Sequence, residues 1–250
     1  MHTENVPEPV SIIVPTLNEK SYLPLLLDSL LRNDYPFEVI IVDGSSDDET
    51  SAIAERYRER FFGLQSLQIL VSERRNIAIQ RNLGAEAARN DVLVFVDADV
   101  VMPSGALRQM VEEFIAREYV AANPQFSATA AEDALRYKWL WAFIHFGQKV
   151  MLRFGRPYFA GICLLTRRGS FIAAGKFDES LLLGEDTDYS FRVRPYGKCG
   201  LLPTRVPTSM RRLRKIGLRE AAAIIRLLPY YIRTGRVPNS FVKYYPLGEH

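Results

Sequence analysis

Residues 92–102 read VLVFVDADVVM: five apolar residues, two aspartates one residue apart, then three more apolar residues. An isolated carboxylate is expensive in a core, so a strand that ends on Asp97 and Asp99 either stops there by accident or holds something positive. Their oxygens are hard ligands, suited to Mg²⁺ or Mn²⁺ and unsuited to a thiol-seeking metal. An ion bridging such a carboxylate to a diphosphate would neutralise the leaving group of a displacement. With 12 aspartates in the chain, one such spacing is expected by chance, and a second exists at Asp186 and Asp188. Context separates them. The first pair closes an apolar run, whereas the second opens a helical pattern, where acids also favour the macrodipole.

Two more polar stretches follow apolar runs, PTLNE at 15–19 and VDGSSDD at 42–48. In open α/β sheets the ligand lies beyond the carboxyl ends of the strands, so these two loops and the 97–99 turn are expected to meet at one edge. Asp43 is placed to accept hydrogen bonds from a base or a ribose. Asp47 or Asp48 reads as a cap for the next helix. Glu185, beside Asp186, reads either as an acceptor-orienting acid or as a helix-start acid. Arg192 and Arg194 read as partners of neighbouring acids.

The elements that must carry these residues alternate from the start. Strand patterns over 9–16, 37–44, 67–72 and 92–99 are separated by helical patterns over 20–33, 51–62 and 75–90. Strands this apolar, with so little alternation, are expected in a mostly parallel central sheet with helices on both faces. Beyond Pro103 the sequence predicts a helix over 104–118, a short strand over 119–126 and a long helix over about 129–153. A strand over 158–168, a helix over 184–197 and a strand over 199–207 follow. The long helix carries Leu135, Trp139, Phe143, Phe146 and Val150 on one stripe and is apolar nearly all round, so it is expected to be buried or to meet lipid, a partner subunit or a hydrophobic acceptor.

Composition sets bounds. The chain has 250 residues, 48% apolar and 24% charged, with a mean hydropathy of −0.07. These values fit one sizeable α/β domain, or a domain with an appendage, and argue against disorder and against an integral membrane protein. No run reaches the roughly 18 unbroken apolar residues of a membrane helix. The start, MHTENVPEPV, lacks the basic and apolar segments of a signal peptide, so a cytoplasmic location is expected, with a peripheral position on the membrane's inner face as the variant the tail suggests. Cys163 and Cys199 read as reduced thiols, Cys163 as core. Charge is uneven. Nine basic residues from Arg205 to Arg236 face one acid, Glu220, a net of +8 that leaves −5 on residues 1–204. Such a tail suits an anionic partner. Arg212, Arg219, Arg226 and Arg233 recur every seven residues beside Leu218, Ala222, Ile225 and Leu228, with Tyr230 and Tyr231 after them. That pattern is a basic amphipathic helix able to lie on an anionic bilayer, or one packed on the body with a solvated basic face.

The stretches SIIVPTLNE, VIIVDGSSDDET, QRNLGAEAARNDVLVFVDADVVMP, FAGICLLTRR and AGKFDESLLLGEDTDYSFRV follow one another in an order and spacing that resembles family 2 glycosyltransferases with the GT-A fold, from about residue 10 to 200. That resemblance implies transfer of a hexose from a UDP- or GDP-linked sugar to a hydroxyl or phosphate, with inversion, in a domain over residues 8–207, leaving 208–250 as a basic extension. It places Pro15, Thr16, Asn18 and Glu19 in the nucleotide loop, Asp43 at the base and Arg81 near the nucleotide or diphosphate. Asp97 and its neighbour Ala98 fall near the ribose, Asp99 at a Mg²⁺ or Mn²⁺ ion, Glu185 and Gly161 on the acceptor side, and Asp186 at the position of the catalytic base. The chemistry agrees: a diphosphate leaving group needs a cation and the acceptor hydroxyl needs one base, whereas a glycosidase needs two carboxylates flanking the bond.

One departure is visible. Many relatives place a metal-binding histidine after the last core strand, but here that region reads VPTSMRRLRKIG and the only histidines are His2, His145 and His250. Either Asp99, diphosphate and water hold the ion alone, or Arg211 and Arg212 take part of its load. A sugar nucleotidyltransferase is the rival enzyme, but no glycine-rich basic loop stands near the N-terminus. A non-catalytic nucleotide-sugar-binding protein would keep Asp43 and lack the base. Nucleic acid is not an expected partner, because no recognised module is present and the body is acidic. The oligomeric state is not legible.

Overall fold

A computed structural model describes residues 7–214, 226, 230 and 233–238. The rest of the expected 212–228 helix, with Leu218, Arg219, Ala222, Ile225 and Leu228, lies outside the described residues, as does Tyr231.

Seven strands form one sheet: β1 (Val10–Thr16), β2 (Phe37–Asp43), β3 (Gln65–Val71), β4 (Val92–Val96), β5 (Tyr119–Ala128), β6 (Cys163–Arg167) and β7 (Lys198–Thr208), in the order β3-β2-β1-β4-β6-β5-β7. β1 pairs parallel with β2 and β4, and β2 with β3. β6 runs antiparallel to β4 and β5, while β5 and β7 are parallel. The sheet is therefore mostly parallel, as expected, with one reversed strand inside it.

β1, β2 and β4 are buried along their whole length because helices cover both faces. Side chains alternate across a strand. Val10, Ile12 and Val14 of β1 thus face one core with Leu23, Leu26, Leu27 and Leu30 of α1 (Leu23–Leu31), Ile53 and Ala54 of α2 (Thr50–Tyr57) and Leu107, Met110 and Phe114 of α4 (Ala106–Ala116). Ile13 faces the second core with Ala78 and Ala85 of α3 (Ile77–Ala87), Phe171 of α7 (Arg168–Ala173) and Tyr189 and Val193 of α8 (Glu185–Val193). α3 lies so close to the sheet that a Cβ on Gly84 would sit 2.5 Å from Ile13.

Two elements differ from the sequence reading. The expected 158–168 strand is only Cys163–Arg167, and the short helix α7 follows it directly. The expected 129–153 helix is two, α5 (Ala131–Arg136) and α6 (Lys138–Arg153), parted at Tyr137, whose φ of −103° and ψ of 9° break the helical path. Burial of that segment is also corrected: Leu135, Trp139, Phe143, Phe146 and Val150 are exposed, and α6 buries only Trp141 and Gln148. No helix among the described residues is long and apolar enough to cross a membrane.

Candidate active site

The parallel register puts Thr16 beside Asp43 at the carboxyl ends of β1 and β2, and β4 ends next to them at Val96, just before Asp97. The three loops singled out in the sequence thus share one edge. They are stitched together. Asn18, at φ 55°, accepts the Asp47 amide at 2.8 Å and donates its own amide to Ser46 at 2.9 Å; the Glu19 amide donates to Thr50 at 2.8 Å. Gln80 of α3 donates to the carbonyls of both Thr16 (2.7 Å) and Val42 (2.8 Å). Pro15 is buried as the penultimate residue of β1.

Asp43 is buried and already accepts four hydrogen bonds: Thr16 Oγ1 (3.1 Å) and Ser46 Oγ (2.5 Å) on Oδ1, and the Ser46 amide (3.0 Å) and Ser51 Oγ (2.9 Å) on Oδ2. Four lone-pair sites are about what a carboxylate offers. A base or ribose donor therefore reaches Asp43 only if one of those serine or threonine hydroxyls turns away. Asp48 accepts the Thr50 amide at 2.9 Å, whereas Asp47 pairs with Arg75 at 2.7 Å; of the two expected caps, only Asp48 serves the helix start.

Arg81 is the hub. It is fully buried on α3, and its guanidinium donates to Glu185 Oε1 (2.5 Å), Asp97 Oδ1 (2.9 Å) and the Gly161 carbonyl (2.9 Å). Space here is tight, since a Cβ on Gly161 would fall 2.5 Å from the Arg81 Nη2. The Gly161 amide in turn donates to Asp186 Oδ2 at 2.6 Å, and the Thr187 amide to Oδ1 at 2.7 Å. Three carboxylates surround one cation. Burial disfavours charge on Arg81, yet Asp97, Glu185 and Asp186 hold it protonated. Burial, reinforced by Asp186, pushes Glu185 up to about 7 against the pull of Arg81. Burial also raises half-buried Asp186 above the ordinary aspartate range, against Arg81 and the Gly161 and Thr187 amides. An acid of raised proton affinity is better matched to accepting a proton near neutrality than an ordinary aspartate.

The second Asp-x-Asp is divided in use. Asp188 is buried and takes Arg192 Nε at 2.7 Å and Arg236 Nε at 2.8 Å. Arg192 does pair with an acid, as expected, but Arg194 donates to the Gly197 carbonyl at 3.3 Å.

Asp99 sits just beyond β4, buried with Ala98. Its Oδ2 lies 3.3 Å from Arg211 Nε, and Thr208 Oγ1 donates to Oδ1 at 3.4 Å. Arg211 also binds Glu19 and lies 4.2 Å from the centroid of the Tyr22 ring. Among the described residues no group of three or more His, Cys, Asp or Glu side chains could hold a metal. The donor set is one hard carboxylate with Asp97 tied to Arg81. That suits a Mg²⁺ or Mn²⁺ ion held largely by a ligand's own phosphates rather than in a protein cage.

Residues 158–161, next to Asp186, are fastened by three residues to which the sequence reading gave no role. Asn123 of β5 accepts the Ala160 amide at 2.6 Å and donates to the Ala160 carbonyl at 3.1 Å; Gln148 of α6 donates to the Tyr158 carbonyl at 3.1 Å; Ser190 of α8 accepts the Phe159 amide at 3.1 Å. The sequence held a signal only for Asn123, a polar residue set into the apolar run YVAAN.

This sheet, with its site at the strand ends, is the GT-A architecture. The solved mannosyltransferase PcManGT from Pyrobaculum calidifontis, in complex with GDP-Man and Mn²⁺, superposes with a TM-score of 0.65 at 20% identity, covering 96% of this chain and 69% of that one. S. aureus TarS 1-349 in complex with UDP-GlcNAc superposes with a TM-score of 0.61 at 19% identity, covering 78% and 56%. The family model "Glycosyl transferase family 2" matches residues 11–174, and the chain belongs to that family. Among curated relatives, the poly(ribitol-phosphate) β-N-acetylglucosaminyltransferase TarS of Staphylococcus aureus is 38% identical over 92 residues, covering 36% of this chain and 16% of TarS. Glycosyltransferase AglE of Haloferax volcanii is 27% identical over 198 residues, covering 75% and 62%. The chain thus spans less than two thirds of the length of either.

Proposed function

We propose that this chain transfers a hexose from a UDP- or GDP-linked sugar to an acceptor hydroxyl or phosphate, by direct displacement with inversion. The observation that carries the reading is Asp186: half-buried, raised in proton affinity, and fixed by the Gly161 amide at the edge where three strand-end loops converge. In this reading Asp186 Oδ takes the proton of the acceptor hydroxyl as that oxygen attacks the anomeric carbon and the bond to the diphosphate breaks. Arg81 keeps Asp186 ionised enough to act while Glu185 and Gly161 shape the acceptor side. Pro15, Thr16, Asn18 and Glu19 form the nucleotide loop, Asp43 faces the base, and Asp97 with Ala98 the ribose. Mg²⁺ or Mn²⁺ held by Asp99 and the diphosphate would supply stabilisation of the leaving charge. Arg211, already beside Asp99, lies in the stretch after the last core strand where the resemblance implies a histidine.

Residues 8–207 make the catalytic domain and 208–250 the basic extension, which favours a lipid-linked acceptor at an anionic membrane surface. The described part of that extension is not detached: Arg211 reaches Asp99 and Glu19, Arg236 reaches Asp188, and Val237 is buried against Gly184. The test is a thermal-shift screen of UDP-, GDP- and dTDP-sugars with and without Mn²⁺, followed by nucleoside diphosphate release on adding acceptor. Stabilisation by one donor class and acceptor-dependent release are expected. Binding without release under any acceptor would leave a nucleotide-sugar-binding protein instead.

A further inference from the structure

Trp139, Phe143, Phe146 and Val150 recur along α6 at spacings of four, three and four, with Leu135 one turn before and Phe154 one turn after. At 100° per residue the four on α6 share one side. All six are exposed, from 37% at Val150 to 81% at Trp139. Their combined apolar surface is on the order of 600 Å², at the upper end of what a soluble monomer shows as its largest patch. Trp141 and Gln148, the two buried residues of α6, point the opposite way. The helix is thus anchored by its back while its aromatic front faces outward.

We propose that this face docks on an anionic lipid bilayer, with α6 lying in the interface plane. Charge chooses the occupant. Exposed Lys138, Lys149 and Arg153 flank the stripe, and no acid occurs between Asp133 and Asp178. A two-fold contact between copies would set these cations against their own images, with no acid on that stretch to neutralise them. Anionic headgroups neutralise them directly, and Trp and Phe rings suit the boundary below. The 16 residues of α6 span about 24 Å, too short for a crossing and right for a surface helix. The docking deepens the reading of a lipid-linked acceptor, and for that link alone it rests on the proposed activity. Gln148, on the back of α6, holds the Tyr158 carbonyl, so a helix seated on the membrane keeps the Phe159–Gly161 segment beside its back, about one helix diameter from the headgroups.

The test uses the full chain and no donor. Cosedimentation with vesicles of phosphatidylglycerol and phosphatidylcholine is expected, with a blue shift of Trp139 emission and weaker binding to phosphatidylcholine alone. Trp139→Ser/Phe143→Ser/Phe146→Ser should lower partitioning at least about 10-fold, since each buried ring contributes strongly, while melting and donor hydrolysis stay as in the wild type. Lys138→Gln/Lys149→Gln/Arg153→Gln should weaken the preference for the anionic lipid. The proposal is overturned if the wild type stays in solution, or if the triple-serine variant binds equally. A dimer that the serines dissolve would assign the face to a second copy and also overturn it. So would a fall in melting temperature without vesicle binding, which would assign it to another segment of this chain. A protein that binds vesicles yet never releases nucleotide would leave the docking standing and overturn the activity.

Discussion

At the scale of single residues, Asp186 carries the sharpest expectations. Its folded proton affinity is raised by burial, so the native state binds more protons than the unfolded chain from about pH 4, the ordinary aspartate value, upward. Stability must then fall as pH rises through that window. Asp186→Asn removes the penalty. The variant is expected to melt higher than wild type at pH 7 and no higher at pH 4, while the rate drops at least about 10²-fold, the usual size of a general-base contribution, and donor binding is retained. Calorimetry at the two pH values and single-turnover kinetics check both halves; lost donor binding would move Asp186 into the nucleotide site. Asp99 gives a second expectation. Asp99→Asn should remove the Mn²⁺-dependent part of nucleotide affinity and leave folding intact. Because Arg211 sits 3.3 Å from Asp99, its charge opposes a divalent cation there. Arg211→Gln should therefore tighten Mn²⁺ binding in the absence of nucleotide, read by calorimetric titration; unchanged affinity would show that the ion does not use Asp99.

At the scale of elements, the close packing of α3 on the sheet positions both Arg81 and Gln80. Gly84→Ala drives a methyl to 2.5 Å from Ile13 and 3.1 Å from Val42. Overpacking of this kind costs about 1–3 kcal/mol, and the equilibrium denaturation midpoint should fall accordingly, with activity falling further because Arg81 rides on the same helix. Elements of this sort were legible where one face or both are buried, since β1, β2 and β4 are mostly apolar with little alternation and α1 and α4 carry a clean apolar stripe. The direction of β6 was not. CLLTR is apolar whether it runs with its neighbours or against them, and only the chain path through α5 and α6 reverses it. The joining of Arg81 to Asp97 and Glu185 was illegible for a similar reason: the partners lie 16 and 104 residues away, and spacing along the chain says nothing of it. The stripe on α6 was visible as periodicity, but periodicity names a face and not what the face meets. Of the expected alternatives, burial is the one that fails: Trp141 packs on Phe126, while Trp139, Phe143 and Phe146 stay exposed.

At the scale of the whole molecule, charge is divided between a body of −5 over residues 1–204 and a segment of +8 from Arg205 to Arg236. Part of the basic segment is spent internally, on Glu19 and Asp99 by Arg211, on Asp133 by Arg214 and on Asp178 and Asp188 by Arg236. Arg219 and Arg226 have no such acid assigned by the sequence, and an anionic surface attracts each nearby cation by roughly 1 kcal/mol. The aromatic rings of α6 bind by burial of apolar area, which salt does not weaken, whereas the cations beside them and those of the tail bind by charge, which salt screens within about 10 Å at 0.1 M. The two contributions are therefore separable. Raising salt is expected to strip the tail's share of vesicle affinity and leave the part that Trp139, Phe143 and Phe146 supply. Arg212→Gln/Arg219→Gln/Arg226→Gln should flatten the salt dependence without changing hydrolysis of the donor sugar, while transfer to a lipid-linked acceptor drops with vesicle occupancy. Vesicle binding measured across a salt series for the two triple variants decides it: if the arginine variant keeps the wild-type salt slope, the tail does not face the membrane and its charge serves the body alone.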